Sequence, residues 1–534
     1  MAGFRNTSVS RRLRSLLLLG LGSGLAAQMP PGWDAQLPLG QAEGSPSAWY
    51  GFGLWSANQH GGVATLDDSL GMGNAITGNG FHLEGGFRTE HWDLAAELMG
   101  GRKQGGGDFA TLYRGHATWR SQDLGGWGAG LEREPLVWGY GLNGGYLLGD
   151  AARPFPRFRV ESPMADLHLW RVPLGAWGFQ AFVGRLENGA GVSPSIQDPL
   201  YSEARIAAQG DPQAPFLNGY RIQAKFGPDM EFYANYTDLW GGTLNGVSMT
   251  QGYGVGDYLT SMFGLKDTLA EANVDPNNPN VATPYKNRAR SASNMDVGFR
   301  MRIRPLEGLF RAETVHAYVS RGSKNVWSNP GVFLRDPPKY MAKDVGNEGK
   351  DLGQGRFSML WNRTNHYGAP NLASPNDTVG LLMDWSGVRL GLEYLDTVNE
   401  VNPGVRSFTH YQYLSGFYTY GDPLGNAVAG EARTTTARLE ANYRPNLTGT
   451  TILQVGSRPF RDDLALWQAA YQLSGPVDDR FVGLQQTLKW QCTRRVAMSL
   501  GSSWQHHSAV SNIPGNSANA FRYYADLTYR WPAQ

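Results

Sequence analysis

The sequence predicts an all-β protein: a transmembrane antiparallel β-barrel of roughly 18 strands, with a few short helices at the periplasmic end or in the lumen. Three observations lead there. Alternation with a period of two recurs along most of the chain. Beyond residue 27 there is no run of about 18 apolar residues, so no segment reads as a membrane-crossing helix. The composition is rich in glycine (70 of 534 residues) and aromatics (12%), yet the mean hydropathy is −0.39. Such a chain hides no long apolar segment. If it crosses a membrane, it does so as a closed barrel in which every backbone group pairs with a neighbouring strand.

The N-terminus reads as a signal peptide, residues 1–27. Arg5, Arg11, Arg12 and Arg14 form a positive region, Leu16 to Leu25 an apolar core, and "GLAAQ" a small-residue cleavage site near Ala26 or Ala27. Residues 28–46 read as a periplasmic tether and residues 47–534 as a single barrel domain. The only cysteine, Cys492, excludes an intramolecular disulfide and any Cys/His zinc spacing. A formal net charge of +1 excludes the basic surplus of a nucleic-acid binder.

The strands follow from their alternation. In "NMDVGFRMRIRP", Met295, Val297, Phe299, Met301 and Ile303 share one face; Asn294, Asp296, Arg300, Arg302 and Arg304 share the other. In "TARLEANYR", Ala437, Leu439, Ala441 and Tyr443 oppose Arg438, Glu440, Asn442 and Arg444. In "EFYANYT", Phe232, Ala234 and Tyr236 oppose Glu231, Tyr233, Asn235 and Thr237. In "VRLGLEYLD", Val388, Leu390, Leu392 and Tyr394 oppose Arg389 and Glu393. The last strand, "FRYYADLTYRW", sets Tyr523, Ala525, Leu527, Tyr529 and Trp531 against Arg522, Tyr524, Asp526, Thr528 and Arg530. A barrel puts the first face of each in lipid and the second in a wet lumen, and aromatics at strand ends suit its interfacial girdles.

Tight turns are expected at Gly227-Pro228-Asp229 and Ser386-Gly387. Longer polar segments are expected at Gly241–Ala292, Ser320–Gly355 and Asn399–Arg433. Asp257–Ala272 and Arg461–Leu473 have helical spacing, the second opening on acids at the positive end of its dipole. Helices in the lumen or at its mouth would obstruct it.

The stretch "VWGYGLNGGYLLGDAARPFPRFRV" contains Gly139, Gly141 and Gly144 in the spacing of a dinucleotide-binding turn. Pro154 and Pro156 fall where the helix of that turn would run, and no acidic residue closes a βαβ unit, so the nucleotide reading fails. The stretch instead resembles the W-G-x-G … N-A-R-P-x-P segment of the Wzi family of capsule-assembly outer-membrane proteins, matched at Trp138, Gly139, Gly141, Ala152, Arg153, Pro154 and Pro156. Tyr140 stands where the family often has proline and Ala151 where it has asparagine. Three further segments follow in the family's order. Leu217–Gly242 resembles a hairpin ending in an aromatic and glycine, and Ser293–Pro305 a reduced N-x-x-x-D-x-R strand. Phe408–Arg433 is similar to its Y-x-H…Y-x-x-G-Y-x-Y…G-x-x-x-G segment, at His410, Tyr413, Gly416, Tyr418, Tyr420, Leu424 and Gly425.

The resemblance implies an outer-membrane barrel of roughly eighteen strands with periplasmic helices, a surface lectin that ties capsular polysaccharide or exopolysaccharide to the cell. Outer-membrane lipid, lipopolysaccharide and the barrel-assembly machinery are then its other partners. Nucleic acid is not among them, and no cofactor, metal or catalytic residue is implied. A polysaccharide binder needs aromatic faces for the C–H surfaces of sugars and polar groups for their hydroxyls. The candidates are His410, Tyr411, Tyr413, Tyr418, Tyr420 and Asp422, whose rings could equally belong to a girdle or pack a loop. Arg153 and Arg157 could bind an acidic sugar or form lumenal ion pairs. The ladder Arg300, Arg302, Arg304 reads as matched by lumenal carboxylates or as an anion-selective strip. His506-His507 reads as an exposed pair.

No metalloprotease helix, phosphate-binding loop or nucleophile elbow is present, so the chain reads as non-enzymatic. Two other readings stay open. A diffusion porin would have an unobstructed lumen. A surface glycan hydrolase would need two carboxylates across a glycosidic bond, and the pairs Asp462-Asp463 and Asp478-Asp479 cannot be placed from sequence.

Overall fold

The structure, a computed structural model, describes residues 47–60, 77–121, 123–142, 144–149, 154–170, 172–186, 213–244, 247–248, 250, 254–262, 291–324, 377–397, 418–419, 422–425, 432–460, 468 and 471–532. One sheet dominates. Its strands are β1 (Ser47–His60), β2 (Gly78–Arg88), β3 (Trp92–Lys103), β4 (Asp108–Ser121), β5 (Trp127–Arg133), β6 (Arg157–Glu161), β7 (Ala165–Leu169), β8 (Val172–Arg185), β9 (Phe216–Phe226) and β10 (Met230–Trp240). After a two-residue pair, β11 (Thr243–Leu244) and β12 (Val247–Ser248), come β13 (Ser291–Arg302), β14 (Thr314–Lys324), β15 (Asp377–Trp385) and β16 (Val388–Asp396). A second small pair, β17 (Tyr418–Thr419) and β18 (Asp422–Pro423), precedes β19 (Arg433–Arg444), β20 (Leu447–Arg458), β21 (Asp479–Gln491), β22 (Val496–His507) and β23 (Ala518–Pro532).

Apart from β6 and β7, consecutive strands of the large sheet pair antiparallel, and β1 closes the ring against β23 from Trp49↔Pro532 to His60↔Phe521. Of its 19 strands, β6 and β7 lie end to end against β8, so the wall has eighteen strand positions. The expected strand number stands.

The inside and outside of the wall follow the alternation. On β13, Asn294, Asp296 and Arg300 are buried inward, while Val297, Phe299 and Met301 lie on the outer face. Phe52, Leu83, Leu131, Phe158, Leu453 and Leu527 are exposed on the outside. Inside, charges are paired: Arg300 with Glu231 at 2.8 Å, Arg530 with Glu84 at 2.5 Å, Arg114 with Glu97 at 2.6 Å. A water-soluble barrel would do the reverse, so this surface suits lipid outside and water or polar protein inside.

The two ends differ. One carries the start of β1, the end of β23 and short turns, including the expected ones at Gly227-Pro228-Asp229 and Ser386-Gly387. The other carries the long connections. The strands extend further than expected into two of these: β13 begins at Ser291 and β14 continues to Lys324.

Besides a 3-10 turn at Val510–Asn512, two short α-helices have their bounds among the described residues, one at each end. Val255–Met262, at the long-connection end, overlaps the expected Asp257–Ala272, whose remainder lies outside the described residues. Arg304–Phe310, at the short-turn end, falls on the predicted arginine ladder. Pro305 sits in its first turn, where a missing N–H costs nothing, and Glu307 faces its positive end. The ladder is matched by carboxylates, though not all in the lumen. Arg300 pairs inside, but Arg302 reaches Glu307 on this helix at 2.5 Å, and Arg304 is a rim residue bound to Asp229 at 2.7 Å. The Arg302 guanidinium holds the Glu307 carboxyl below its usual range. Most of Arg461–Leu473 lies outside the described residues, as do the expected signal peptide and tether.

Candidate functional site

β5 is only seven residues long. The chain leaves the wall after Arg133 and rejoins it at Arg157. The intervening residues are the segment singled out by its glycines, and its described part, 134–142, 144–149 and 154–156, crosses the lumen. β5 holds the fifth position in the wall and β19 the fourteenth, so β19 stands opposite; the segment reaches both β16 and β19. Leu142 N donates to Glu393 Oε2 of β16 at 2.6 Å, and Leu142 O accepts from Arg438 Nη1 of β19 at 3.2 Å. Tyr318 OH donates to the same Glu393 oxygen at 2.7 Å.

The wall is shaped to receive this segment. Three lumen-facing glycines stand directly across a ladder from an aromatic: Gly219 from Phe182, Gly298 from Tyr233 and Gly380 from Tyr318. A Cβ at any of them would fall inside the facing ring, so glycine lets each ring lie flat on the neighbouring strand. The segment's own aromatics then pack on these rings. Tyr140 meets Tyr233 edge-on at 4.9 Å and Tyr318 at 6.3 Å, and Trp138 meets Phe182 at 5.2 Å. The Arg300 guanidinium caps the Tyr140 ring at 4.7 Å. Burial pushes the Tyr140 hydroxyl well above its ordinary pKa, and the nearby Glu231 adds to this. Trp138, Tyr146, Leu147 and Leu148 complete a buried cluster with Leu217 of β9 and Leu239 of β10.

Within the segment, Trp138 N and Gly145 N both donate to Leu148 O, at 3.0 and 3.2 Å. A Cβ on Gly145 would collide with the Trp138 carbonyl, and Gly139 and Gly144 sit at φ 128° and 91°. Glycine is needed for this compact loop, with no nucleotide involved.

Of the sequence candidates, Arg157 is buried. It bonds Glu132 at 2.6 Å and Glu134 O at 2.7 Å, the ion-pair alternative. Tyr418 and Asp422 lie on β17 and β18, whose backbones pair as Tyr418↔Pro423 and Thr419↔Asp422. The next residue, Leu424, joins the buried cluster around Trp138, and its carbonyl accepts from Gly149 N at 2.6 Å. The fold thus joins the lumen-crossing segment to Phe408–Arg433, two stretches read separately in the sequence. Arg153, His410, Tyr411, Tyr413 and Tyr420 lie outside the described residues. So does Asp462-Asp463, whereas Asp479 accepts from His507 Nδ1 at 2.6 Å and from Ala509 N at 3.0 Å. That corrects the histidine reading: His507 faces inward and is buried, because an even-odd pair on a strand points to opposite faces.

Opposite the seat, the wall is polar. His82 lies 3.0 Å from Asp526 and 3.6 Å from Glu97, and His116 bridges Asp93 and Glu134 at 3.4 and 3.0 Å. Among the described residues no group of His, Cys, Asp and Glu is arranged to hold a metal ion.

No protein-family model matches the chain, and no curated protein matches its sequence. Among solved structures it is similar to Wzi of Escherichia coli, described as an outer-membrane protein involved in group 1 capsule assembly and as a carbohydrate-binding β-barrel. The identity is 14% over 90% of this chain and 83% of that one, with a TM-score of 0.53. The fold is that of an outer-membrane β-barrel. Weaker likenesses are to OccK5 of Pseudomonas aeruginosa (13% identity, 92% of this chain and 99% of that one, TM-score 0.41) and to OprD of the same organism (11%, 93% and 98%, TM-score 0.43).

The seat itself was not found from sequence. The alternation marks Glu393 and Arg438 only as ordinary lumenal residues, Trp138 and Tyr140 stand out only as motif positions, and Tyr318 carries no signal of its own. The available signal was glycine at lumenal positions of otherwise regular strands, at Gly219, Gly298, Gly322, Gly380 and Gly391.

Proposed function

We propose that this protein is a non-enzymatic outer-membrane barrel of the Wzi type that holds capsular polysaccharide or exopolysaccharide at the cell surface. The observation that carries the reading is the segment between Arg133 and Arg157, which crosses the lumen and is fastened to the far wall at Glu393 and Arg438. A lumen crossed in this way is narrowed as a diffusion pathway, whereas a surface receptor does not need an open one. The likeness to Wzi supports the reading, as do the ordered motif matches. The end with short turns lies in the periplasm and the long connections face outward. Phe408–Arg433 is then an outward connection anchored by Leu424 to the crossing segment. Its tyrosines, with His410 and Asp422, supply ring faces and polar groups to successive sugars, each contact weak and useful through repetition along one polymer. Lipid, lipopolysaccharide and the barrel-assembly machinery are the partners of any such barrel.

A porin is the second reading, favoured by the polar, ion-paired inner surface that includes His82, Glu97, Asp526 and Arg530. One pair of measurements separates them. The purified full chain should retain the host's own high-molecular-weight glycan in co-sedimentation and should conduct poorly in planar bilayers. Large, steady conductance without glycan retention would replace the lectin by the porin.

A further inference from the structure

The connection between β6 and β8 departs from the other turns at the short-turn end. β6 is paired on both sides, with β5 down to Gly128↔Glu161 and with β8. β7 pairs with β8 alone, and β8 pairs with β9 only from Ala176↔Lys225 onward. The hairpin of residues 164–170 and 172–175 therefore runs past the rim with both edges free. Five residues of strand add roughly 15 Å. With its 14 residues, β8 spans about 35 Å along the barrel axis at the usual tilt, against an apolar band about 25 Å tall.

The protruding part is apolar on one side. Ala165 faces Trp177 and Leu169 faces Val172 across the ladder, and directly paired residues share a face. Trp177 and Phe179 belong to the outer face of β8, whose inner face carries Gln180 and Phe182. Leu167 opposes two residues, Leu174 and Gly175, with Gly175 at φ 81°; this bulge keeps Leu167, Leu169 and Val172 in line with the lipid-facing wall. Asp166 and His168 fall on the other face. At the tip, Trp170 is 94% exposed and held at φ 56°, a left-handed conformation rarely adopted by a bulky side chain. An indole kept there against its backbone preference marks a site of use.

These features fix the medium. The apolar face is continuous with the wall that meets hydrocarbon, so it does not end in bulk water. Both edges carry unpaired backbone groups, so it does not lie in the hydrocarbon either. The remaining zone is the boundary between headgroups and acyl chains, where tryptophan is enriched at membrane proteins' rims. We infer that the hairpin formed by residues 164–170 and 172–175 is an interfacial lipid anchor, laying Leu167, Leu169, Trp170 and Val172 against the phospholipid leaflet at the short-turn end. The inference does not depend on what the protein binds at its other end.

The test is a nitroxide scan of the full chain in nanodiscs of phosphatidylethanolamine and phosphatidylglycerol. A Cys492→Ser background carries single cysteines at Trp170, Leu167 or, for comparison, Arg494 in the exposed turn between β21 and β22. The ratio of accessibility to oxygen over a water-soluble nickel chelate should be several-fold higher at 170 and 167 than at 494. Equal ratios at all three positions would overturn the anchor. Protection at 170 that is absent in nanodiscs and appears only in native outer-membrane vesicles would also overturn it, and would assign the hairpin to a protein partner. Label at Leu167 keeps the test decisive should the tip label disturb the turn.

Discussion

The Leu142 amide hydrogen bonds Glu393 at 2.6 Å across a sequence separation of 251 residues. The same carboxylate oxygen accepts from Tyr318 OH. One wall residue therefore holds both the crossing segment and the ring beneath it. Glu393→Ala should leave the buried Leu142 amide unpaired, a penalty of about 1–3 kcal/mol. Its effect should be visible as new, flickering conductance in planar bilayers, with the barrel still folded. A closed, silent variant would mean that aromatic packing alone keeps the segment in place.

Gly391 is a steric version of the same dependence. A Cβ there would lie 2.6 Å from Leu142 Cδ2. Gly391→Leu should overpack the seat and cost about 1–3 kcal/mol. Gly475, where an added Cβ meets nothing within 4 Å, is the control, and Gly475→Ala should change little. The thermal midpoint of the two variants in one detergent compares them directly; equal midpoints would show that the seat can give way at no cost.

These two positions mark what the sequence could and could not tell. The wall was legible because period-two alternation is a local signal: on β13 the placing of Phe299 outside and Arg300 inside needs only neighbours in the chain. Closure followed from the backbone's need for partners. The seat was not legible, since Leu142 and Glu393 belong to different strands' surroundings and nothing local ties them. Trp138 and Tyr140 were noticed as motif residues, but their contacts with Phe182, Tyr233 and Tyr318 depend on which strands the closed ring sets around the segment. The helix at Arg304–Phe310 was missed because the arginine alternation ran straight into it, although Pro305 is a poor residue for continuing a strand.

Phe299 lies on the outer face of β13 and Arg300 on the inner. Phe299→Arg should cost about 2–4 kcal/mol if the site is near the bilayer midplane. Denaturant unfolding from phospholipid vesicles measures it. A neutral result would place Phe299 at the water interface and shift the membrane's position along the wall.

Arg300 and Glu231 form a buried pair at 2.8 Å. Arg300→Leu strands the carboxylate, with Lys225 at 3.4 Å as partial replacement, and should cost up to about 3–5 kcal/mol. It also removes the cation above Tyr140. Adding Glu231→Leu should restore most of the loss, because the penalty belongs to the unpaired charge. A double variant as unstable as the single one would instead assign the loss to the cation over the ring.

Tyr413, Tyr418 and Tyr420 are the proposed glycan contacts, and they fall in a segment whose Leu424 is fixed to the crossing segment's core. Replacing all three by Ala should release polysaccharide from cells while the barrel remains assembled in the membrane. Normal assembly with polysaccharide retained as in the parent would make the tyrosines structural and the assignment wrong. Loss of assembly does not separate the two roles, because a girdle tyrosine would give the same loss. Single Tyr→Phe changes refine the outcome, since they keep the ring and remove only the hydroxyl. Retention should survive them if sugar faces stack on the rings, and should fall, with assembly unchanged, if the hydroxyls bind the sugar.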